Sequence, residues 1–475
     1  MIIKNLDNIN YPEFIIVGAG PAGITLALEL EKKNLSSLLI ESGGLEITEK
    51  DQSRYKGNVY GDRYFDLDVA RLSFFGGSSN HWGGNCAPLD EIDFTTWPIK
   101  KNELDKYESG TRQILEIKNP FEKYIKTKLN SFNLSSMVES PVNFKDKYYE
   151  KIKNSKKILL LLNTNVECFM SSETNPRNVD KLILNNFNNK YQISFNKKSQ
   201  FILACGGIEN SRILLWSKIK SKNNFLKNLP IGNYWMEHPT GEIGQFVGEK
   251  NKIEKLFENK KNYYLVPSKE FIIEKKINNI RFNIFFWETL DQKTFKHKIK
   301  DLICLAPNLG KKIIENISSN IVHCLSVIKY SAEQKPDFEN KITLSNFEKD
   351  NFDVPKINLN WSIKDDVFNS LRVTLEELGE QIIENDIGRV GIDKYVYESS
   401  FKESNDIFGN HHHMGGTTMN NKKFLGVVDK NLKINDVDNF YVLGSSVFPS
   451  GGHFNPTYTI IQLALRLSDH LKEKL

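Results

Sequence analysis

The chain has 475 residues, 39% of them apolar and 26% charged, with a formal net charge of +5. This length exceeds one simple core and points to two domains, and the composition excludes a disordered chain. The small positive balance, with no Lys/Arg block alternating with aromatics, excludes a nucleic-acid groove and no nucleic-acid partner is expected. The polar start MIIKNLDNINYPE runs straight into a glycine motif, with no apolar segment of signal-peptide type. Glu13 to Val17 reads as a buried strand. GAGPAG follows, then an apolar-periodic helix (ITLALELEKK) that stops near Asn34. A second strand, SLLIES, reaches Glu41 and completes a βαβ opening. Residues 51–97, rich in Gly, Ser and aromatics, read as loop, and 101–117 as helix. Strands are predicted over 157–170, 181–186 and 191–204, the last running through LACGG into the helix IENSRILLWS. From 241 to 400 the most regular pieces are KITLS, KINLNW and the helix DVFNSLRVTLEELGEQII. The chain closes with NFYVLGSS, a glycine turn and the helix PTYTIIQLALRLSDHLKEKL.

Leu302 to Ile328 is the most apolar middle stretch, but Lys311, Lys312 and Glu315 break it, so no membrane span is expected. The five cysteines (Cys86, Cys168, Cys205, Cys304 and Cys324) are widely spaced and form no CxxC. That excludes a disulfide framework and a zinc site, and it fits a reducing, cytoplasmic compartment.

Gly18, Gly20 and Gly23 form GxGxxG between a strand and a helix. The first glycine permits the tight turn, the second lets a pyrophosphate approach, and the third lets helix and strand pack closely. The helix N-terminus then offers free N–H groups to the phosphates. Glu41, at the end of the next strand, is placed to accept hydrogen bonds from ribose hydroxyls. The fingerprint serves FAD and NAD alike.

The segment from Arg71 to Gly84 packs four glycines and small hydroxyl residues around His81 and Trp82, which lets backbone lie against a flat ligand. Residues 411–419 read HHHMGGTTM. On an extended chain at most two adjacent histidines share a face, and no Cys or carboxylate completes a ligand set, so no metal is expected. One catalytic imidazole, removing an alcohol proton, is the better reading. Near the end, Asn455 and Pro456 stand where a long amphipathic helix begins, as N-cap and first helical residue. That helix N-terminus would also stabilise negative charge on a bound group.

Taken together, these segments resemble the glucose–methanol–choline (GMC) oxidoreductases, which bind FAD. The resemblance rests on GAGPAG with Glu41, GGSSNHWGG, LACGGIENSRILL, IGNYWMEHP, ENKITLS, HMGGTT and the stretch from VVDKNLKIND to GGHFNPT, in family order. It implies an α/β fold: a Rossmann-like FAD domain with a second α+β substrate domain built on an antiparallel sheet. The implied boundaries are 1–240 and 408–475 for the FAD domain and 241–407 for the substrate domain. By the pattern H-x-x-G-T, the resemblance makes His413 the base and Asn455 the partner of the substrate oxygen, with hydride passing to flavin N5. His453, two residues before Asn455, is a further candidate for the flavin edge. Cofactor contacts are implied at Gly18, Gly20, Gly23, Glu41, Gly77, Ser78, Asn80, His81, Trp82, Val166, Gly444, Asn455, Pro456 and Thr457.

FAD is expected to be held noncovalently. The alternative is a covalent link at His81, because similar pyranose oxidases carry one in a T-H-W sequence where this chain has N-H-W. The expected substrate is a small alcohol, sugar-like by similarity to bacterial enzymes of this ending, and the acceptor is dioxygen or another carrier. The alternatives are an NAD-dependent dehydrogenase, a non-redox lyase on the same FAD fold, and a non-catalytic scaffold.

Overall fold

The architecture was obtained as a computed structural model. It describes residues 1–6, 10–186, 189–196, 198–221, 225–248, 250–258, 260, 262–286, 326–397 and 407–474. Most of the apolar stretch Leu302–Ile328, with Cys304 and Cys324, lies outside the described residues.

Phe14–Val17 is apolar throughout and buried along its whole length, which suits a central strand covered on both faces. It lies inside a six-stranded sheet, ordered Ile2–Ile3, Ile158–Leu161, Ser37–Ile40, Phe14–Val17, Gln200–Leu203 and Phe440–Val442. Every pairing in this sheet is parallel. Parallel neighbours need crossovers, and the helix Pro21–Lys32 supplies one, with proline in its first turn. The helix Thr457–Glu473 packs beside it, and Ile24, Leu28, Ile461 and Leu465 join the sheet's apolar core. A three-stranded antiparallel sheet (Asn165–Ser171, Val179–Asn186, Asn189–Ser194) extends this half.

The second half is built on an eight-stranded antiparallel sheet. Its order is Gly388–Ile392, Thr240–Gly248, Ser326–Ala332, Ile280–Phe286, Tyr263–Pro267, Phe132–Ser136 and Ile125–Lys126, with Ile407–Phe408 beside Thr240–Gly248. The helix Asp365–Glu384 turns Val367, Leu371, Leu375, Leu378 and Ile382 inward at helical spacing. They meet Phe246, Phe282 and Ile328 in a second core. Leu215, on the helix Gly206–Lys220, packs against both cores. The fold is therefore the α/β arrangement expected, a parallel sheet with helices plus an antiparallel second sheet.

Several elements differ from the sequence expectation. Residues 57–61 and 125–136 fall within 1–240, but their strands pair with Pro355–Trp361 and inside the eight-stranded sheet. The division 1–240, 241–407 and 408–475 is therefore a proposal with those exceptions. Residues 157–170 form two strands rather than one, because Asn163 takes a left-handed φ of 53° between them. Residues 191–204 likewise split between Asn189–Ser194 and Gln200–Leu203. The stretch 51–97, read as loop, carries the end of the short helix Glu49–Gln52 and the strand Gly57–Gly61. Among the described residues, no helix is long and apolar enough to cross a membrane.

Candidate active site

A cavity of about 680 Å³ opens at the C-terminal ends of the parallel strands. That is where open α/β sheets bind ligands. One end is the turn after Phe14–Val17. Gly18 has a φ of 105°, and a Cβ there would meet the Ala204 carbonyl oxygen at 2.5 Å. A Cβ on Gly23 would meet the Gly18 oxygen at 1.9 Å, so that glycine serves helix–strand packing and does not line the cavity. A Cβ on Gly20 would meet nothing within 4 Å, because the position faces the cavity.

Glu41 is buried at the end of Ser37–Ile40. Its carboxylate accepts the Ala19 N–H at 2.8 Å and the Gly43 N–H at 3.0 Å, fixing the glycine turn to the neighbouring strand. It also lines the cavity, as does Val166 with Thr164 and Asn165.

Two donors here were not foreseen. Arg54 lies buried, with Nη2 on the Ser73 hydroxyl and Nε on the Asp51 carbonyl. Arg54 lines this side of the cavity, and its Nη1 is buried without a protein partner. Gly206 opens the helix Gly206–Lys220 toward the cavity and has free space where a Cβ would be. Arg54 sits in a stretch that reads as loop, and nothing in its local sequence marks it. A glycine turn with free space, a helix N-terminus, an unpaired guanidinium N–H and a strand-end carboxylate fit a dinucleotide.

The loop 76–84 forms the middle wall. Gly77, Ser78, His81 and Trp82 line the cavity. Asn80 does not. Its amide donates to the carbonyls of Phe75 at 3.1 Å and Gly77 at 2.7 Å, so it shapes the loop instead of reaching the ligand space. Trp82 is anchored by its indole N–H to the Val142 carbonyl at 3.0 Å. Burial lowers the pKa of His81 below its ordinary value.

At the other end, Gly444, Asn455, Pro456 and Thr457 line the cavity with His411, His412 and His413. The alternation expected of adjacent histidines fails because His411 takes a left-handed φ of 57°. The turn lets all three reach the cavity, and the His411 ring stacks on Phe65 at 3.9 Å. His413 is packed near Trp235 and Tyr64, and its Nε2 is buried without a partner. Burial first, then the charge of Arg71, holds its pKa well below the ordinary value.

Asn455 does not cap the last helix, which begins at Thr457 with Pro456 at the cap position. Its amide donates instead to the Asn85 carbonyl at 3.0 Å, and its oxygen accepts from Arg281 at 3.1 Å. Arg281 is buried, donates also to the His453 carbonyl and lies over the Tyr264 ring. Burial lowers its pKa to about 10. His453 is fully buried and bonded to Asp90 at 3.1 Å, so it supports the site from behind and does not line it.

Glu237 and His238, within the IGNYWMEHP segment, complete this end. One Glu237 oxygen accepts the backbone N–H groups of His238 and His412, each at 2.8 Å, and the other accepts the Tyr64 hydroxyl at 2.5 Å. Burial raises the Glu237 carboxyl to about 7 in spite of these donors. His238 Nδ1 faces His412 Nδ1 at 2.8 Å.

Residues 336–464 match the family described as GMC oxidoreductase. The large subunit of fructose dehydrogenase from Gluconobacter japonicus is 26% identical over 167 residues, which is 35% of this chain and 28% of that protein. The chain thus matches little more than a quarter of that relative's length. The fold is similar to pyridoxine 4-oxidase from Mesorbium loti, at 13% identity and a TM-score of 0.63, over 97% of this chain and 99% of that one. It is also similar to formate oxidase from Aspergillus oryzae in a variant studied for FAD modification, at 15% identity and a TM-score of 0.58, over 98% of each chain. Residues 336–464 thus match the C-terminal region of the GMC oxidoreductases, within a fold shared along the chain with these two enzymes.

Proposed function

We propose that this chain holds FAD in the cavity between Glu41 and Asn455 and oxidises the CH–OH group of a small, sugar-like alcohol. The observation that carries the reading is one continuous cavity, with the dinucleotide turn at one end and imidazoles with a helix N-terminus at the other. When bound, FAD supplies the acceptor for the hydride. Gly20 and Gly206 leave backbone N–H groups open to its phosphates, Arg54 adds a cationic donor, and Glu41 faces the ribose end. Gly77, Ser78, His81 and Trp82 form the wall for the ring system.

The substrate side is the histidine run opposite Asn455. The Asn455 amide and the start of the helix Thr457–Glu473 favour partial negative charge on an oxygen there. A neutral imidazole takes up the alcohol proton as the carbon loses hydride. The sugar-like substrate is supported by the similarity to the fructose dehydrogenase subunit. The acceptor is dioxygen or another carrier, and FAD is held noncovalently, with His81 the place for any covalent link.

The test is an absorbance spectrum of purified protein before and after acid precipitation, followed by anaerobic addition of D-fructose and D-glucose. Flavin bands that pass to the supernatant and bleach with a sugar support the reading. Bands that stay with the pellet would show a covalent link and make His81 the first residue to test for it. A colourless protein that cannot be loaded with FAD would overturn the reading in favour of an NAD-dependent enzyme. A yellow protein that converts an alcohol without bleaching would favour a lyase.

A further inference from the structure

His412 and His238 are 174 positions apart in the chain, yet their Nδ1 atoms face each other at 2.8 Å. Two imidazole nitrogens at that distance need one proton between them, so one ring donates and the other accepts. The remaining nitrogen of His238 decides which. Its Nε2 lies 3.3 Å from the Gly451 carbonyl oxygen, a group that only accepts. His238 therefore carries its proton on Nε2 and offers the Nδ1 lone pair to His412. His412 in turn carries its proton on Nδ1, which leaves its Nε2 with a free lone pair. Among the described residues no protein group occupies that nitrogen, and His412 lines the cavity.

Neutrality of both rings follows from their surroundings. Burial lowers the pKa of His238 to about 3, with the Arg281 charge adding to it. Burial, His238 and Arg281 together hold His412 well below its ordinary value. The backbone N–H of His412 is clamped by Glu237, which fixes where the ring starts. Arg281 also holds the oxygen of Asn455, so His412 and Asn455 share one buried cation as neighbour. His413, by contrast, presents no accessible Nε2.

We propose that His412, rather than His413, is the proton acceptor, and that His238 is the positioning residue that fixes its tautomer. The proposal rests on the oxidoreductase reading given above. In the step, the substrate O–H bond breaks and its proton forms a bond to His412 Nε2. The carbinol C–H pair leaves as hydride to the flavin, so the alcohol is oxidised to a carbonyl and the flavin reduced. The resulting imidazolium keeps its Nδ1–H on His238, as an orienting partner does in other base–orienter pairs.

The experiment uses the FAD-loaded full chain labelled with ¹⁵N-histidine, together with anaerobic stopped-flow bleaching by whichever of D-fructose and D-glucose bleaches the wild type. The ¹⁵N spectra are expected to show His238 protonated on Nε2 and His412 on Nδ1. His412→Gln is expected to bleach 10²–10⁴-fold more slowly with FAD still bound, the usual size of a lost general base. His238→Leu is expected to slow bleaching and to return the His412 signal to mixed tautomers. His238→Gln, which restores an acceptor, is expected to recover part of the rate. A His412 protonated on Nε2 in the wild type, or a His412→Gln protein that bleaches at the wild-type rate, overturns the proposal while the oxidoreductase reading stands. A loaded wild type that neither sugar nor any other alcohol bleaches overturns that reading, and the base assignment with it.

Discussion

Gly20 and Gly23 stand three residues apart on one turn and forbid a side chain for opposite reasons. Beyond Gly20 lies the open cavity, and its extended backbone (φ −83°, ψ −173°) suits any residue. Gly20→Val is therefore expected to fold with a wild-type circular dichroism spectrum and the melting temperature of flavin-free wild type, while retaining almost no FAD. Gly23→Ala would press a methyl group into the Gly18 carbonyl and is expected to cost about 1–3 kcal/mol or more, visible as a lower denaturation midpoint. Glu237 gives a pH test. Folded, it holds its proton up to about 7, against an ordinary value of 4.5. Between those values the native state binds the extra proton, so this group's contribution to stability falls as pH rises through that window, by about 3 kcal/mol at most. Comparing Glu237→Gln with wild type by urea denaturation at pH 5 and pH 8 should show the wild type losing more on going to pH 8. At this scale the glycine turn and Glu41 were legible, because their spacing along the chain is the signal. Arg54, Glu237, His238 and Arg281 were not, because their roles arise only when residues far apart in sequence meet. Asn80 was expected in contact with the cofactor space and His453 was a candidate for it, and local hydrogen bonds turn both elsewhere.

Elements were legible where apolar period and turn residues agreed. Phe14–Val17, Pro21–Lys32, Asp365–Glu384 and the final helix all lie where the pattern puts them, within a residue or a few at the ends. The stretch 157–170 misled because the leucine run and the run from Val166 to Met170 both read as strand, and the turn residues Asn163, Thr164 and Asn165 between them were passed over. The break is made by backbone alone. Asn163 adopts a φ of 53°, its N–H bonds to the Gly43 carbonyl, and Thr164 N–H bonds to the Glu41 carbonyl. That kink turns Thr164, Asn165 and Val166 into the cavity. Asn tolerates the left-handed region and a β-branched residue does not. Asn163→Val is therefore expected to cost about 1–3 kcal/mol and to weaken FAD retention, whereas Asn163→Gly should be close to neutral in both, measured by denaturation and by equilibrium dialysis of the flavin.

Across the whole molecule, buried charge ties the two halves together. Glu209, on the helix Gly206–Lys220, pairs with Arg71 at 3.0 Å and Arg212 at 3.2 Å, and Arg212 reaches Asp350 at 2.7 Å. Arg212 also donates to the carbonyls of Arg54, Val354 and Pro355, so one side chain spans from the cavity wall to the strands of the second half. Removing one partner of a buried pair strands the other charge. Arg212→Leu is expected to lower stability by about 3–5 kcal/mol, read from the denaturation midpoint, and to speed flavin loss on warming. The same geometry accounts for the uneven legibility of the two halves. The parallel sheet is announced by a local fingerprint, while the antiparallel sheet gathers strands such as Phe132–Ser136 from outside the block that the sequence suggests.

The parallel sheet has a further consequence, in time. Phe440–Val442 pairs with Phe201–Leu203, a strand made about 240 residues earlier. At roughly 5–20 residues per second, a ribosome leaves that inner strand without its neighbour for roughly 10–50 s. During that interval Phe201, Ile202 and Leu203 present an apolar strand edge, the kind that invites aggregation and chaperone capture. The residues from Gly444 to Thr457 that close the reactive end of the cavity arrive with the same late segment. Flavin supplied to nascent chains should therefore be captured only after this segment emerges, which makes cofactor loading the last act of folding rather than its nucleus.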